Sequence, residues 1–217
     1  MSQSWCALAF LHWFVAPAEV APHLPRGTDP DVVPDGRFAG MTPVALVPFR
    51  MVRAGFGAGP AIPYLGTFWE TNVRLYSVDD RGRHGVVFRS LDASRLAVVL
   101  GARLSLRLPY RFSRMRGYQR SPRGVRELGW TARTRWPRPP GNELDAFLTA
   151  RWGLHTEVLG RTLYVPNEHE RWDLRSAEVL LLDDSLLAAA GFPGLTDRSP
   201  DHACFAEGVR TCFGVPR

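Results

Sequence analysis

Glu70, Asn72, Arg74 and Tyr76 fall at every second position of Phe68–Val78, a run whose β-branched and aromatic content reads as a strand. Side chains alternate along a strand, so these four share one face, and Trp69, Thr71, Val73 and Leu75 share the other. A carboxylate and a guanidinium on one face can fix each other's charge and offer directed hydrogen bonds to a ligand, as the lining of a polar pocket does. The same pattern describes the wetted face of an antiparallel sheet carrying an ion pair. Wetted faces far outnumber sites, so spacing alone favours the wetted face.

Other chemistries are poorly served. The sequence contains no lysine, so all 27 of its Lys+Arg residues are arginine and no side-chain amine can attack a carbonyl. Neither a GxSxG elbow nor a Walker-type loop occurs. Gly55, Gly57 and Gly59 lack the spacing of a dinucleotide fingerprint, and Pro60 and Pro63 follow where a helix should open. His202-x-Cys204 places two potential ligands on one strand face, but zinc sites need three or four, so no metal and no cofactor are expected. His12, between Leu11 and Trp13, reads as a core histidine. Cys6, Cys204 and Cys212 form no CxxC pair and no disulfide framework, which suits a reducing, cytoplasmic setting.

The formal charge of +6 is unevenly spread. Between Arg103 and Arg138 stand eleven arginines and a single acid, Glu127. Interleaved Tyr110, Phe112, Tyr118, Trp130 and Trp136 give this segment the composition of a nucleic-acid surface. It could equally steer a carboxylate or phosphate. No recognised nucleic-acid motif accompanies it, and on paired strands alternate arginines would point to opposite faces, so nucleic acid is not the expected partner.

The elements that must position these groups are mostly strands. With 217 residues, 45% hydrophobic and 22% charged, the chain suits one globular domain over 1–217. No segment reaches the apolar length of a membrane span. Trp5–Val15 is apolar, but no basic residue precedes it, so buried structure is expected there and not a signal peptide. A short helix is predicted over Pro17–Pro25, and an Asp35-Gly36 hairpin turn leads into Arg37–Phe49. Arg53–Pro63 reads as a mobile loop, a candidate flap over a site. Phe68–Val78 should turn at Asp79–Arg83 into a returning strand, His84–Leu91. A two-residue turn would set Arg89 opposite Arg74, and a three-residue turn would set Phe88 there. Asp92 is placed as the cap of a helix over Ala93–Leu104, followed by strands over Arg111–Arg120 and Val125–Trp136 and a linker over Trp136–Gly141. Asn142 should cap a helix reaching Arg151. A strand pair over Leu154–Val165 should turn at Gly160, Asp183-Asp184-Ser185 should open a last helix ending at Gly191, and Cys204–Val215 should form a closing strand. The class is therefore a mainly β barrel or sandwich with flanking strands and a few short helices.

Several of these residues recur as an ordered set: Phe10-Leu11-His12-Trp13, Val47-Pro48-Phe49, Glu70-x-Asn72-Val73-Arg74-x-Tyr76 and Gly85-Val86-Val87-Phe88-x-Ser90-Leu91-Asp92. Ala102-Arg103, Leu108-Pro109-Tyr110, His169-x-x-Trp172-x-Leu174 and Gly208-Val209 follow. The set resembles the YqjF-like bacterial family, a domain of unknown function within the acetoacetate decarboxylase-like superfamily. The resemblance spans nearly the whole chain and implies a β-barrel around an internal pocket, lined by Glu70 and Arg74. It also sets Tyr110, in Leu108-Pro109-Tyr110, where the decarboxylase carries its imine-forming lysine. Tyrosine cannot form an imine, but it can donate a hydrogen bond or exchange a proton. The final segment departs slightly, with Ala206-Glu207 before Gly208-Val209 in place of Ser-Pro. The expected ligand is a small acidic or carbonyl compound. Glu70 would be its acid/base, Tyr110 a hydrogen-bond donor, and Asn72, Arg74 and Tyr76 its binding groups. A non-catalytic module using the same cavity is one alternative, and nucleic-acid binding through the Arg103–Arg138 segment is the other.

Overall fold

A computed structural model describes residues 2–55, 66–94, 110–112, 131–137 and 142–216, with backbone alone for residue 2 and for 53–55, 110–112 and 131–137. Strands dominate, as expected. The first, β1 (Ser2–Val15), is flanked on one side by β3 (Thr42–Gly55) and on the other by β11 (His202–Phe213). From β3 the pairing runs to β4 (Phe68–Asp79), β5 (His84–Ala93), β8 (Gly153–Val158) and β9 (Arg161–His169). Strand β9 returns to β11, so seven strands close a ring. Four further strands lie off the ring: β2 (Thr28–Pro30) on β4, β6 (Tyr110–Phe112) parallel to β5, β10 (Leu174–Leu181) on β11, and β7 (Thr131–Pro137) on β10.

Alternation on β1 explains why its sequence is apolar throughout. Leu8, Phe10 and Phe14 join an inner cluster with Val47, Phe49 and Tyr76. Ala9, Leu11, Trp13 and Val15 join a second cluster with Leu46, Val73, Leu75 and Leu187 on the other face. A strand covered on both faces loses the polar half of its alternation. The second cluster is roofed by Val20 of α1 (Pro17–Val20) and by Leu187 and Ala190 at α3 (Leu186–Ala189). The carboxylate of Asp184 caps α3, accepting from the backbone N–H groups of Leu186 and Leu187. Asn142 caps α2 (Glu143–Thr149) by accepting from the Asp145 backbone N–H at 3.3 Å, and the helix sets Leu148 into the inner cluster.

The hairpin of β4 and β5 takes the register with Phe88 opposite Arg74, and a bulge lies between the Val73–Ser90 and Arg74–Phe88 pairs. Two expectations are corrected. Asp35-Gly36 does not form a two-residue hairpin turn. The chain reverses more widely, through a 3-10 turn at Gly36–Phe38 between hydrogen-bonded Val33 and Met41. Asp92 is not a helix cap but lies within β5, hydrogen-bonded to the Ser90 hydroxyl and paired across to Thr71. The strand expected from Arg111 is described over Tyr110–Phe112, and the one expected from Val125 over Thr131–Pro137. Arg53–Gly55 belong to β3. The rest of the proposed flap, the helix expected to Leu104 and most of the Arg103–Arg138 segment lie outside the described residues.

At Gly208 the ring closes too tightly for a side chain, because an added Cβ would lie 2.6 Å from the Trp5 carbonyl oxygen. This contact gives a physical reason for glycine in the Gly208-Val209 element. Gly208→Ala should destabilise the protein by about 1–3 kcal/mol through forced backbone displacement, read as a lower midpoint in urea unfolding.

The β4–β5 turn supplies a pH-dependent term. Burial opposes ionisation of Asp79, but hydrogen bonds from the Arg83 guanidinium and from the backbone N–H groups of Arg83 and Arg81 outweigh it and bring its pKa to about 2. A depressed carboxylate pKa stabilises the fold above its unfolded value of 3.8, and that stabilisation is lost as pH falls through about 2. Stability measured across this window should depend less on pH in Asp79→Asn than in the wild type.

Candidate functional site

The polar face of β4 turns inward. Glu70, Asn72, Arg74 and Tyr76 are all buried, so the wetted outer face favoured by spacing is overturned. Periodicity fixes which residues share a face but not which face meets the core. Here Phe10 and Phe49 lie on that side, and β3 and β5 flank the strand.

Arg74 is 9% exposed and lies across two rings, with its guanidinium carbon 5.1 Å from the centroid of Phe10 and 5.5 Å from that of Tyr76. Both placements suit a cation over an aromatic face. Its Nη2 donates to the Tyr76 hydroxyl at 3.1 Å. Among the described residues no carboxylate lies within ion-pair reach of Arg74, and neither its Nε nor Asn72 Oδ1 has a hydrogen-bond partner. Glu70 stands two residues before Asn72 at 3% exposure, paired through its backbone with Phe49 and Ala93. Trp172 packs edge-on to Phe10 at 5.2 Å and stacks with Trp5 at 6.3 Å, so the His169-x-x-Trp172 element contributes an aromatic wall beside Arg74's platform. Burial lowers the pKa of His169, and the charge of Arg74 acts in the same direction. Tyr110 is paired through its backbone with Leu91 of β5, and its side chain lies outside the described residues.

Tyr76 is the junction of the site. Its hydroxyl donates to the Leu148 carbonyl oxygen at 2.9 Å and also contacts His12 Nε2 at 2.8 Å, in addition to Arg74. One donor and two acceptor positions are therefore all in use. Burial raises the phenol's pKa against the pull of Arg74 and Arg151, so it stays neutral. Arg151 flanks the same ring at 5.2 Å, and its Nη1 donates to Asp31 at 2.7 Å. His202 and Asp145 complete a line of buried polar groups behind Tyr76. The sequence points to some of this: His12 alternates with Phe10, and His202 shares a face with Cys204. Nothing in it signals that Asp145, Asp31 and Arg151 converge on the same region.

Two other arrangements are less suited to chemistry. Ser77 Oγ contacts His155 Nδ1 at 2.8 Å, and His155 Nε2 lies 3.5 Å from Asp79. The order suggests a nucleophile triad, but Ser77 and His155 are sealed from solvent and Asp79 is held by Arg83. An open cleft of about 420 Å³ lies beside Arg83, His84, Arg151 and Tyr164. Both arginines there already face carboxylates, Asp79 and Asp31. Among the described residues no group of three potential metal ligands occurs. No described helix is long and apolar enough to cross a membrane.

The architecture is that of acetoacetate decarboxylase-like proteins. An acetoacetate decarboxylase-like enzyme from Sphingomonas wittichii superposes with a TM-score of 0.59 at 14% identity, covering 97% of this chain and 90% of that one. The enduracididine biosynthesis enzyme MppR, solved with the condensation product of pyruvate and imidazole 4-carboxaldehyde, gives 0.58 at 14% identity over 100% and 88%. Acetoacetate decarboxylase from Legionella pneumophila gives 0.54 at 12% identity over 100% and 86%. At these identities the likeness concerns the fold. Within that class, residues 2–210 match the DUF2071 family model, described as an uncharacterized conserved protein, and the chain belongs to this family. It is 29% identical to the uncharacterized protein YqjF of Bacillus subtilis over 203 residues, covering 88% of this chain and 81% of YqjF.

Replacing Tyr76 by Phe would remove one donor and two acceptor positions from three buried partners while preserving the ring. Tyr76→Phe should cost about 2–3 kcal/mol of stability, measured by chemical denaturation.

Proposed function

We propose that this chain binds a small oxo acid or related carboxylate inside the strand ring and moves a proton on it without forming an imine. The supporting observation is Arg74, a buried guanidinium on an aromatic platform with no carboxylate partner among the described residues. A buried cation in that state favours an anionic ligand, and the guanidinium fork matches a carboxylate. Asn72 Oδ1, also without a partner, would accept from a hydroxyl or enol of the ligand. Glu70 would take the proton from the carbon beside the carbonyl, and Tyr110 would donate a hydrogen bond to the oxygen on which charge develops. Tyr76 would act through Arg74, since its hydroxyl has no capacity left for a ligand. The absence of lysine removes the imine as electron sink, which limits the reading to reactions that an oxyanion hydrogen-bonded in place can sustain.

The test uses pyruvate and acetoacetate. Calorimetry should show binding that weakens at least about tenfold in Arg74→Met, a loss of about 1.4 kcal/mol. In heavy water the wild type should exchange the methyl protons of pyruvate, and Glu70→Gln should not. Borohydride treatment with either acid should leave no side-chain adduct by mass spectrometry. Binding without exchange would favour a non-catalytic ligand-binding module. Exchange that is equal in Glu70→Gln would remove Glu70 from its role, and failure to bind either acid would overturn the reading.

A further inference from the structure

His12, His202 and Asp145 lie behind Tyr76 and take no part in the chemistry proposed above. All three are buried, and they come from β1, β11 and α2. Their contacts form one line. Asp145 Oδ1 lies 2.7 Å from His202 Nε2, His202 Nδ1 lies 3.1 Å from His12 Nδ1, and His12 Nε2 lies 2.8 Å from the Tyr76 hydroxyl.

The direction of the line follows from its far end. A carbonyl oxygen accepts but never donates, so the single phenolic proton of Tyr76 goes to Leu148 O. The hydroxyl oxygen then accepts from both Arg74 Nη2 and His12 Nε2, so His12 Nε2 carries a hydrogen. One further proton must lie between the two Nδ1 atoms, and another between His202 Nε2 and the carboxyl oxygen. These three junctions need three protons. Two neutral imidazoles and an aspartate carboxylate supply two. Carboxylic acids are stronger acids than imidazolium, so the third proton belongs to the ring pair, with the Asp145 carboxylate as its counter-charge.

We propose that Asp145, His202 and His12 are positioning residues for Arg74. They form a hydrogen-bonded chain whose ring pair carries an added proton, donating to Asp145 at one end and to the Tyr76 oxygen at the other, and so holds that oxygen toward the guanidinium as an acceptor. The charges around Tyr76 fit this assignment. Arg74, Arg151 and the ring pair contribute three positive charges, against negative Asp31 and Asp145. The value of positioning Arg74 rests on the ligand reading above, but the proton arrangement does not.

The experiment uses ligand-free protein with isotope-labelled histidine and arginine, followed by nitrogen NMR at neutral pH. The wild-type rings of His12 and His202 should carry three N–H protons between them. In Asp145→Asn they should carry two, because the amide can turn to donate to His202 and sustain the line with both rings neutral. The Arg74 guanidinium N–H signals should be separate and slowly exchanging in the wild type. They should merge in His12→Leu, and His12→Gln, whose amide can donate to Tyr76, should restore them. Two N–H protons in the wild type, or Arg74 signals unmoved in His12→Leu, would overturn the proposal. Loss of pyruvate binding with these signals intact would count against the ligand reading alone.

Discussion

The hydrogen-bonding capacity of one phenol organises the interior. Tyr76 stands at the meeting of β4, β1 and α2, and its oxygen has three neighbours with distinct demands: a carbonyl, a guanidinium and an imidazole. A hydroxyl can satisfy three partners only if one accepts and two donate. That condition aligns the helix with the ring, fixes the tautomer of a histidine on another strand, and turns Arg74 to one side. Because every group is buried, a mismatch at any one of them would leave a polar atom without water to fall back on.

Two arginines share the Tyr76 ring without equivalent surroundings. Arg151 is neutralised by Asp31, which also accepts from His84 at 2.6 Å. Burial lowers its pKa, and Asp31 and the phenol work against that. Arg74 has aromatic faces and a hydroxyl where Arg151 has a carboxylate. Burying two like charges around one ring is unfavourable unless each is compensated. The asymmetry therefore separates a structural cation from one suited to a ligand.

Much of the fold was legible because its signals are local. Alternation located β4 and β5, Asn142 and Asp184 marked helix starts, and Gly160 marked the β8–β9 turn with φ of +74°. Asp35-Gly36 misled because the dipeptide reports a local turn preference, whereas hydrogen bonds between Val33 and Met41 set a wider reversal. Strand β10 passed unnoticed, since Leu174–Leu181 mixes exposed and half-buried positions without clean alternation. The site was half legible. Its four residues on β4 are spaced in plain view, but their inward orientation depends on neighbouring strands. The Asp145–His202–His12 line joins residues up to 190 positions apart, which no local pattern can report.

The pairing of β1 with β11 has a consequence for how the protein reaches its native state. Ser2 lies opposite Cys212 and His12 opposite His202, so 190 positions or more separate these paired residues. Strand β1 must wait for a partner synthesised some 190 residues later before its second edge is covered. Until then β1 presents unpaired backbone and an apolar sequence to its surroundings, conditions that favour association with other chains. Closure across such a separation also slows folding relative to a protein built from neighbouring contacts. Protection of that nascent edge, by early pairing with β3 or by a chaperone, is thus a requirement of the architecture itself.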